Sequence, residues 1–284
     1  MKPFYWLCIF IIGLNSCTNN SVTDPIKKRI KQSFKLNDEF IHDDNVNNVD
    51  LRKLNITIRQ AANFYYNTDG LLDSLNVFSD STPSAALLKS LKFHYLPDRI
   101  RADIFFAPND RNVAHFFYNS KKQVTKIVDT SGLNLVGLFF SYNSDKITNI
   151  RIAVLGSSTN ITNFVYDGNN NLLQYILPDS TGALHKVAFT YDLNKPINSD
   201  LDIRFASAGV QFLYAGGVNV ISLIGLNTGV GNTHRILNRL ETKLVGGQTD
   251  NEYQYEYSVD NDGEITNRKI TINDTIDVFY EYRY

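Results

Sequence analysis

An aromatic pair two residues apart that runs straight into a turn recurs along most of this chain, and nothing else in the sequence limits its fold as strongly. The fullest copy is Phe164-Val165-Tyr166-Asp167-Gly168-Asn169-Asn170-Asn171-Leu172. Related copies end at Tyr66, Tyr95, Tyr118, Tyr142, Tyr191, Tyr257 and Tyr282. From Tyr95 to Tyr191 the tyrosines are 23, 24, 24 and 25 residues apart, and 25 residues again separate Tyr257 from Tyr282. Self-similarity at a fixed period means that one supersecondary unit is used repeatedly.

The unit reads as a β-hairpin. Aromatics at i and i+2 share one face of a strand, and the Asn, Asp and Gly after the tyrosine tolerate the positive φ of a tight turn. An apolar position six residues on (Leu72, Val124, Leu172, Ile197) reopens the next strand, followed by Leu75, Ile127 and Tyr175 and then another turn cluster. Two strands of roughly eight residues and two turns fill a period of about 24. The expected fold is all-β, a twisted antiparallel meander of such hairpins. Phe164 and Tyr166 are expected on one face and at least partly buried. Packing across neighbouring strands accounts for the tyrosines better than a ligand platform does.

The chain opens with Lys2, an apolar run from Phe4 to Leu14, and Leu14-Asn15-Ser16-Cys17. The run is shorter than the ~20 residues of a membrane-spanning helix and has the charge and core of a secretory signal. It resembles a bacterial lipoprotein signal, which implies removal of residues 1–16, lipidation of Cys17 and attachment to a membrane through that lipid. The cysteines are Cys8 and Cys17 alone, so the mature chain has no disulfide and no thiolate metal site. The formal charge of −1 falls to −2 when Lys2 is removed, and no basic excess exists to neutralise nucleic-acid phosphates.

Residues 17–50 read as a lipidated tether. Within it Asp24 caps a short basic helix with Pro25 at its first position, and Ile26, Ile30 and Phe34 recur on one face. Such a helix rests on anionic headgroups, packs on the domain or stays solvated. Residues 51–284 form a single repeat domain whose first strand signal is Leu54-Asn55-Ile56-Thr57-Ile58, with a short helix expected over Ser84–Lys92. The period breaks after Tyr191, and residues of about 201–250 read as an insertion. Its stretch from Ala206 to Leu226 is uncharged, but Gln211, Asn219, Ser222 and four glycines argue against a membrane span. A segment covering part of the sheet suits it better, because an antiparallel sheet with large apolar residues needs a partner layer.

The signal and lipobox, the Tyr-(Asn/Asp) hairpins, Tyr191-Asp192-Leu193-Asn194-Lys195-Pro196, the apolar insertion and the closing unit from Tyr255 to Thr266 together resemble envelope lipoproteins of the Bacteroidota. Those belong to domain-of-unknown-function families distantly similar to YD-repeat proteins. The resemblance covers most of residues 55–284 and implies a β-meander at the cell envelope; it supplies no catalytic residues. Asp80-Ser81-Thr82, Asp179-Ser180-Thr181 and Asp274-Thr275-Ile276 resemble the O-glycosylation pattern of the same group. That marks Ser81, Ser180 and Thr275 as candidate acceptors, although Asp and Ser are also ordinary turn residues.

Other chemistry is weakly supported. Ser258–Lys269 overlays a calcium loop, but Lys269 stands where the bidentate acid belongs. Gly225–Thr233 lacks the lysine of a phosphate loop. Histidines 42, 94, 115, 185 and 234 are scattered, and His42-Asp43-Asp44 on an extended chain points in alternating directions. There is no G-x-S-x-G elbow and no free thiol nucleophile. The sequence therefore points to a lipid-anchored, non-catalytic binding or scaffold module of the envelope, in the outer membrane, with no cofactor and no metal. Its partners would be envelope proteins or glycans, met through the insertion at Phe212, Tyr214 and Leu223. The rivals are a glycan-directed hydrolase whose carboxylates only the fold assembles, and a structural subunit of an outer-membrane assembly.

Overall fold

The computed structural model describes residues 29–37, 58–79, 82, 84–106, 110–130, 136–154, 157–178, 182–197, 214–215, 218–229, 233–274 and 276–284. The strands are β1 (Gln32–Asn37), β2 (Ile58–Tyr66), β3 (Leu72–Phe78), β4 (Leu87–Tyr95), β5 (Arg99–Phe106) and β6 (Asp110–Tyr118). There follow β7 (Val124–Asp129), β8 (Val136–Asn143), β9 (Lys146–Val154), β10 (Ser157–Tyr166), β11 (Leu172–Pro178) and β12 (Leu184–Pro196). After the pair β13 (Tyr214–Ala215) and β14 (Val218–Asn219) come the helix α1 (Val220–Leu223), β15 (His234–Lys243), β16 (Thr249–Val259), β17 (Ile265–Ile272) and β18 (Ile276–Arg283).

All but β13 and β14 close into one antiparallel barrel of 16 strands, a meander in which β1 pairs with both β2 and β18. The expected all-β meander is the observed fold, and closure removes the two open edges that a flat meander would leave. Phe164 and Tyr166 lie on β10, half-buried against the core, and β10 and β11 flank the expected turn. A register shift lies between Thr162 and Val165, where Asn163 has φ 56°. This bulge brings Ile161 and Phe164 to one face although they are three residues apart.

The turn chemistry repeats as closely as the sequence does. In 67–71, 119–123, 167–171 and 260–264 the first residue's N–H donates to the carbonyl of the fifth, and the fourth's N–H donates to the carbonyl of the first. The fourth residue takes positive φ in each: Gly70 (71°), Lys122 (60°), Asn170 (65°) and Gly263 (84°). The Asn67, Asn119, Asp167 and Asp260 side chains each accept from two N–H groups further round the loop. Asp260 is thus committed to a hairpin turn.

Three expectations differ. Ile26–Phe34 was expected to share a helical face, but β1 occupies Gln32–Asn37, because the free edges of β2 and β18 give this segment backbone partners on both sides. Ser84–Lys92 is not helical; Leu87 onward is β4, paired with β3 and β5. The insertion is shorter than 201–250, since β15 and the start of β16 resume the meander from His234. The signal, Cys17, the tether to residue 28, and Leu54 to Thr57 lie outside the described residues.

Candidate functional site

The barrel's two faces have opposite chemistry. Inward positions carry Phe64, Leu75, Leu91, Phe93, Ile104, Phe116, Ile127, Leu138, Ile150, Ile161, Tyr175 and Val187, all buried and contributed by strands around most of the circumference to one apolar core. Outward positions carry charge. Lys92 pairs with Asp73 at 2.5 Å, and Asp103 accepts from Arg101 and lies 2.9 Å from His94. On the far wall Lys269 faces Glu256 and Arg283 pairs with Glu281. Burial alone would raise the Asp103 carboxyl, but the bonds from Arg101 and His94 outweigh it and hold it below the usual carboxylate range.

One end of the barrel is capped by the insertion. Val220, Ile221, Leu223, Ile224 and Leu226 are buried in the core, and the Asn219 side chain caps α1 by accepting from Ile221 N–H. Beyond the helix, Asn227 forms a parallel bridge with Gln123, with its N–H donating to Lys122 O at 3.0 Å and its carbonyl accepting from Val124 N–H at 2.8 Å. Gly229 passes so close to the β8–β9 turn that a Cβ there would meet Asp145 O at 2.9 Å. Thr233 donates to Asn171 Oδ1 and Asn169 O, and His234 contacts Asn171. The segment is thereby sewn to the turns 119–123, 144–147 and 167–171 of one rim.

The same rim explains the tyrosine period. Five of the repeat phenols reach back across the sheet and donate to a main-chain carbonyl near the start of a neighbouring strand: Tyr66 to Ile30 O at 2.6 Å, Tyr95 to Leu72 O at 2.7 Å, Tyr142 to Val124 O at 2.6 Å, Tyr166 to Ile147 O at 3.2 Å and Tyr191 to Leu172 O at 2.5 Å. In the last hairpin Tyr284, not Tyr282, takes this place, donating to Ile265 O at 3.0 Å. Burial pushes the Tyr142 phenol upward, so it stays a donor.

The inner wall of β12 and β15–β18 differs from the rest. Arg239 and Arg268 are buried there, Arg239 4.4 Å from the Tyr253 ring centre and paired with Glu241, Arg268 4.8 Å from that of Tyr280. Glu241 also accepts from Asn251 at 3.1 Å. Toward the uncapped end, His185 Nδ1 lies 2.7 Å and Lys243 Nζ 3.6 Å from Asp250. Each carboxylate is thus matched by a cation within its own small group. Among the described residues no group of three or more His, Cys, Asp or Glu is arranged to hold a metal.

Of the residues singled out from sequence, Leu223 is buried at 0% exposure, a packing residue of the cap and not a surface contact. Tyr214 starts β13, opposite Asn219. Phe212 lies outside the described residues, as do Cys17, Ser81, Ser180 and Thr275.

Sequence reasoning did not reveal an outward row of alternating cations and rings. Arg99, Phe117, Lys126, Phe139 and Arg151 are successive cross-strand partners on β5, β6, β7, β8 and β9. Arg99 lies 6.0 Å and Lys126 5.3 Å from the Phe117 ring centre; Lys126 lies 5.6 Å and Arg151 4.0 Å from that of Phe139. Beside the row, partial burial and the charges of Arg99 and Arg101 push His115 below its ordinary value.

No family model matches the chain, and no curated protein matches it. Among solved structures it is similar to a porin-like protein from Bacteroides uniformis, with a TM-score of 0.60 and 16% identity over 89% of this chain and 96% of that one. It is also similar to a porin-like protein from Bacteroides vulgatus, with a TM-score of 0.57 and 12% identity over 90% and 99% of the two chains. At these identities the likeness is one of fold.

Proposed function

We propose that this chain is a non-conducting barrel held at the outer membrane by a lipid on Cys17, where it serves as a non-catalytic binding or scaffold module. The observation that carries this reading is the reversed polarity of the wall. A barrel of 16 strands that conducts water has a polar lumen and an apolar belt facing lipid. Here Leu75, Ile127, Leu138 and Ile150 face inward at 1% exposure or less, while Lys92, Arg101, Asp103, Lys126, Arg151, Glu256 and Lys269 face outward. Each outward cation placed at a bilayer midplane would cost about 2–4 kcal/mol. The strands are therefore suited to water, and the membrane contact falls to the tether. The cap over one rim and the pairing of inner-wall carboxylates with cations also favour a closed body over a channel or a hydrolase.

The test is to compare the native chain with Cys17→Ala in cells and the purified chain in a planar bilayer. Lipid labelling and membrane retention should be lost in Cys17→Ala, and the native chain should add no single-channel conductance. Stepwise conductance from the native chain would overturn the closed barrel, and labelling that persists in Cys17→Ala would overturn the anchor.

A further inference from the structure

We propose that the outer face of β5–β9 is a docking surface for an acidic polysaccharide whose carboxylates recur on alternate sugar rings. This deepens the binding-module reading by naming the partner. Arg99, Phe117, Lys126, Phe139 and Arg151 stand in one row at right angles to the strands, so the cations fall on every second strand. Strands lie about 4.8 Å apart, which sets the positive charges roughly 10 Å apart around the girth of the barrel.

The charges are directed outward. Arg99 has a neighbouring acid, Asp98, at 2.8 Å, and in the adjoining row Arg101 and His94 share Asp103. On the outward positions of β6–β9 the described residues include no Asp or Glu, and Asn160 is the next cross-strand partner after Arg151. Lys126 lies over the Phe117 and Phe139 rings and Arg151 over that of Phe139. The Phe139 ring lies along its own strand over Gly137, where a Cβ would come within 2.7 Å of ring carbon Cε2. The Arg151 guanidinium lies over this ring, 4.0 Å from its centre, and the residue is exposed. A guanidinium ordered in this way loses less freedom when a carboxylate arrives.

The spacing chooses among polyanions. Nucleic-acid strands carry a charge about every 3.4 Å, much denser than this row. They also bind through open aromatic faces, whereas Phe117 and Phe139 each already contact two cations. A sugar polymer charged on alternate rings presents well-separated carboxylates joined by neutral rings, which matches cations joined by phenylalanines.

Hyaluronan oligosaccharides, in which glucuronate alternates with a neutral amino sugar, are a suitable probe. With the full chain, fluorescence anisotropy should show binding that weakens with salt and is not competed by dextran. Lys126→Gln/Arg151→Gln should bind at least about tenfold more weakly, in line with the loss of two counter-charges. Lys269→Gln, on the opposite wall, should bind like the native chain. Arg151→Glu, a change at one exposed side chain, gives the same readout if the double variant folds poorly. Absence of binding, undiminished binding by the Arg151 variants, or equal binding of single-stranded DNA would overturn the proposal. None of these results bears on conductance, so the closed-barrel reading stands or falls separately.

Discussion

A tyrosine at the rim contributes a hydrophobic ring to the core and a hydroxyl to a main-chain carbonyl of the neighbouring segment, and only tyrosine supplies both. Tyr142→Phe keeps the ring and deletes the donor to Val124 O. The expected loss is about 1 kcal/mol of unfolding free energy, read as a lower urea midpoint at unchanged slope. Tyr65→Phe, at an outward position that is 47% exposed, should be close to neutral. The rim tyrosines were legible in the sequence because successive hairpins reuse the same group at nearly the same place. The row from Arg99 to Arg151 was not, since its members are joined only by strand register and their separations in sequence follow no period. Leu223 was misplaced for a related reason: an apolar residue in an irregular segment looks the same in sequence whether it faces a partner or the segment's own core.

At the scale of the hairpin, the loop 167–171 shows how a turn becomes pH-sensitive. The Asp167 carboxylate accepts from Asn171 Nδ2 and from the N–H groups of Asn169 and Asn171. Burial would raise this carboxyl, but those bonds outweigh burial and hold it below the ordinary carboxylate range. A carboxyl lowered in the folded state adds stability that is fully present above its unfolded value, near 4, and is lost as pH falls through the folded value. Asp167→Asn retains an acceptor oxygen, as Asn67 and Asn119 show in the sister turns. The native chain should therefore exceed the variant in stability by a constant margin above about pH 5, and the margin should shrink below about pH 4. Urea titrations of both chains across that range would show it; a margin that grows on acidification would contradict the assignment. The cap is the element whose sequence signal was ambiguous, being apolar without helical or strand period. Leu223→Asn should destabilise the chain by about 2–5 kcal/mol, as removal of a buried leucine from a tight core does, measurable in the same titration.

The whole molecule depends on closure. Hairpins fix neighbours that are close in sequence, but the seam is made by β1, which joins β18 from the other end of the chain. Nothing in a 24-residue period announces whether a meander ends in two open edges or returns to itself. The segment before it, with Ile26, Ile30 and Phe34 at helical spacing, pointed to a helix because local pattern carries no information about edges far along the chain. Once β2 and β18 face one another across a gap, strand pairing on both sides outweighs that weak local preference. Ser33 lies within the seam, buried between Ala62 and Tyr282. Ser33→Pro removes an N–H from the ladder and imposes a ring on a strand paired on both sides, which proteins avoid outside sheet edges. The expected result is an opened barrel with two long free edges, seen as a loss of about 3 kcal/mol or more together with association in size-exclusion chromatography. Ser33→Ala, which leaves the backbone donors in place, should stay monodisperse. If the proline variant is as stable and as monomeric as the native chain, β1 does not close the barrel, and the inward packing of Ile30 and Ser33 has to be assigned to another cause.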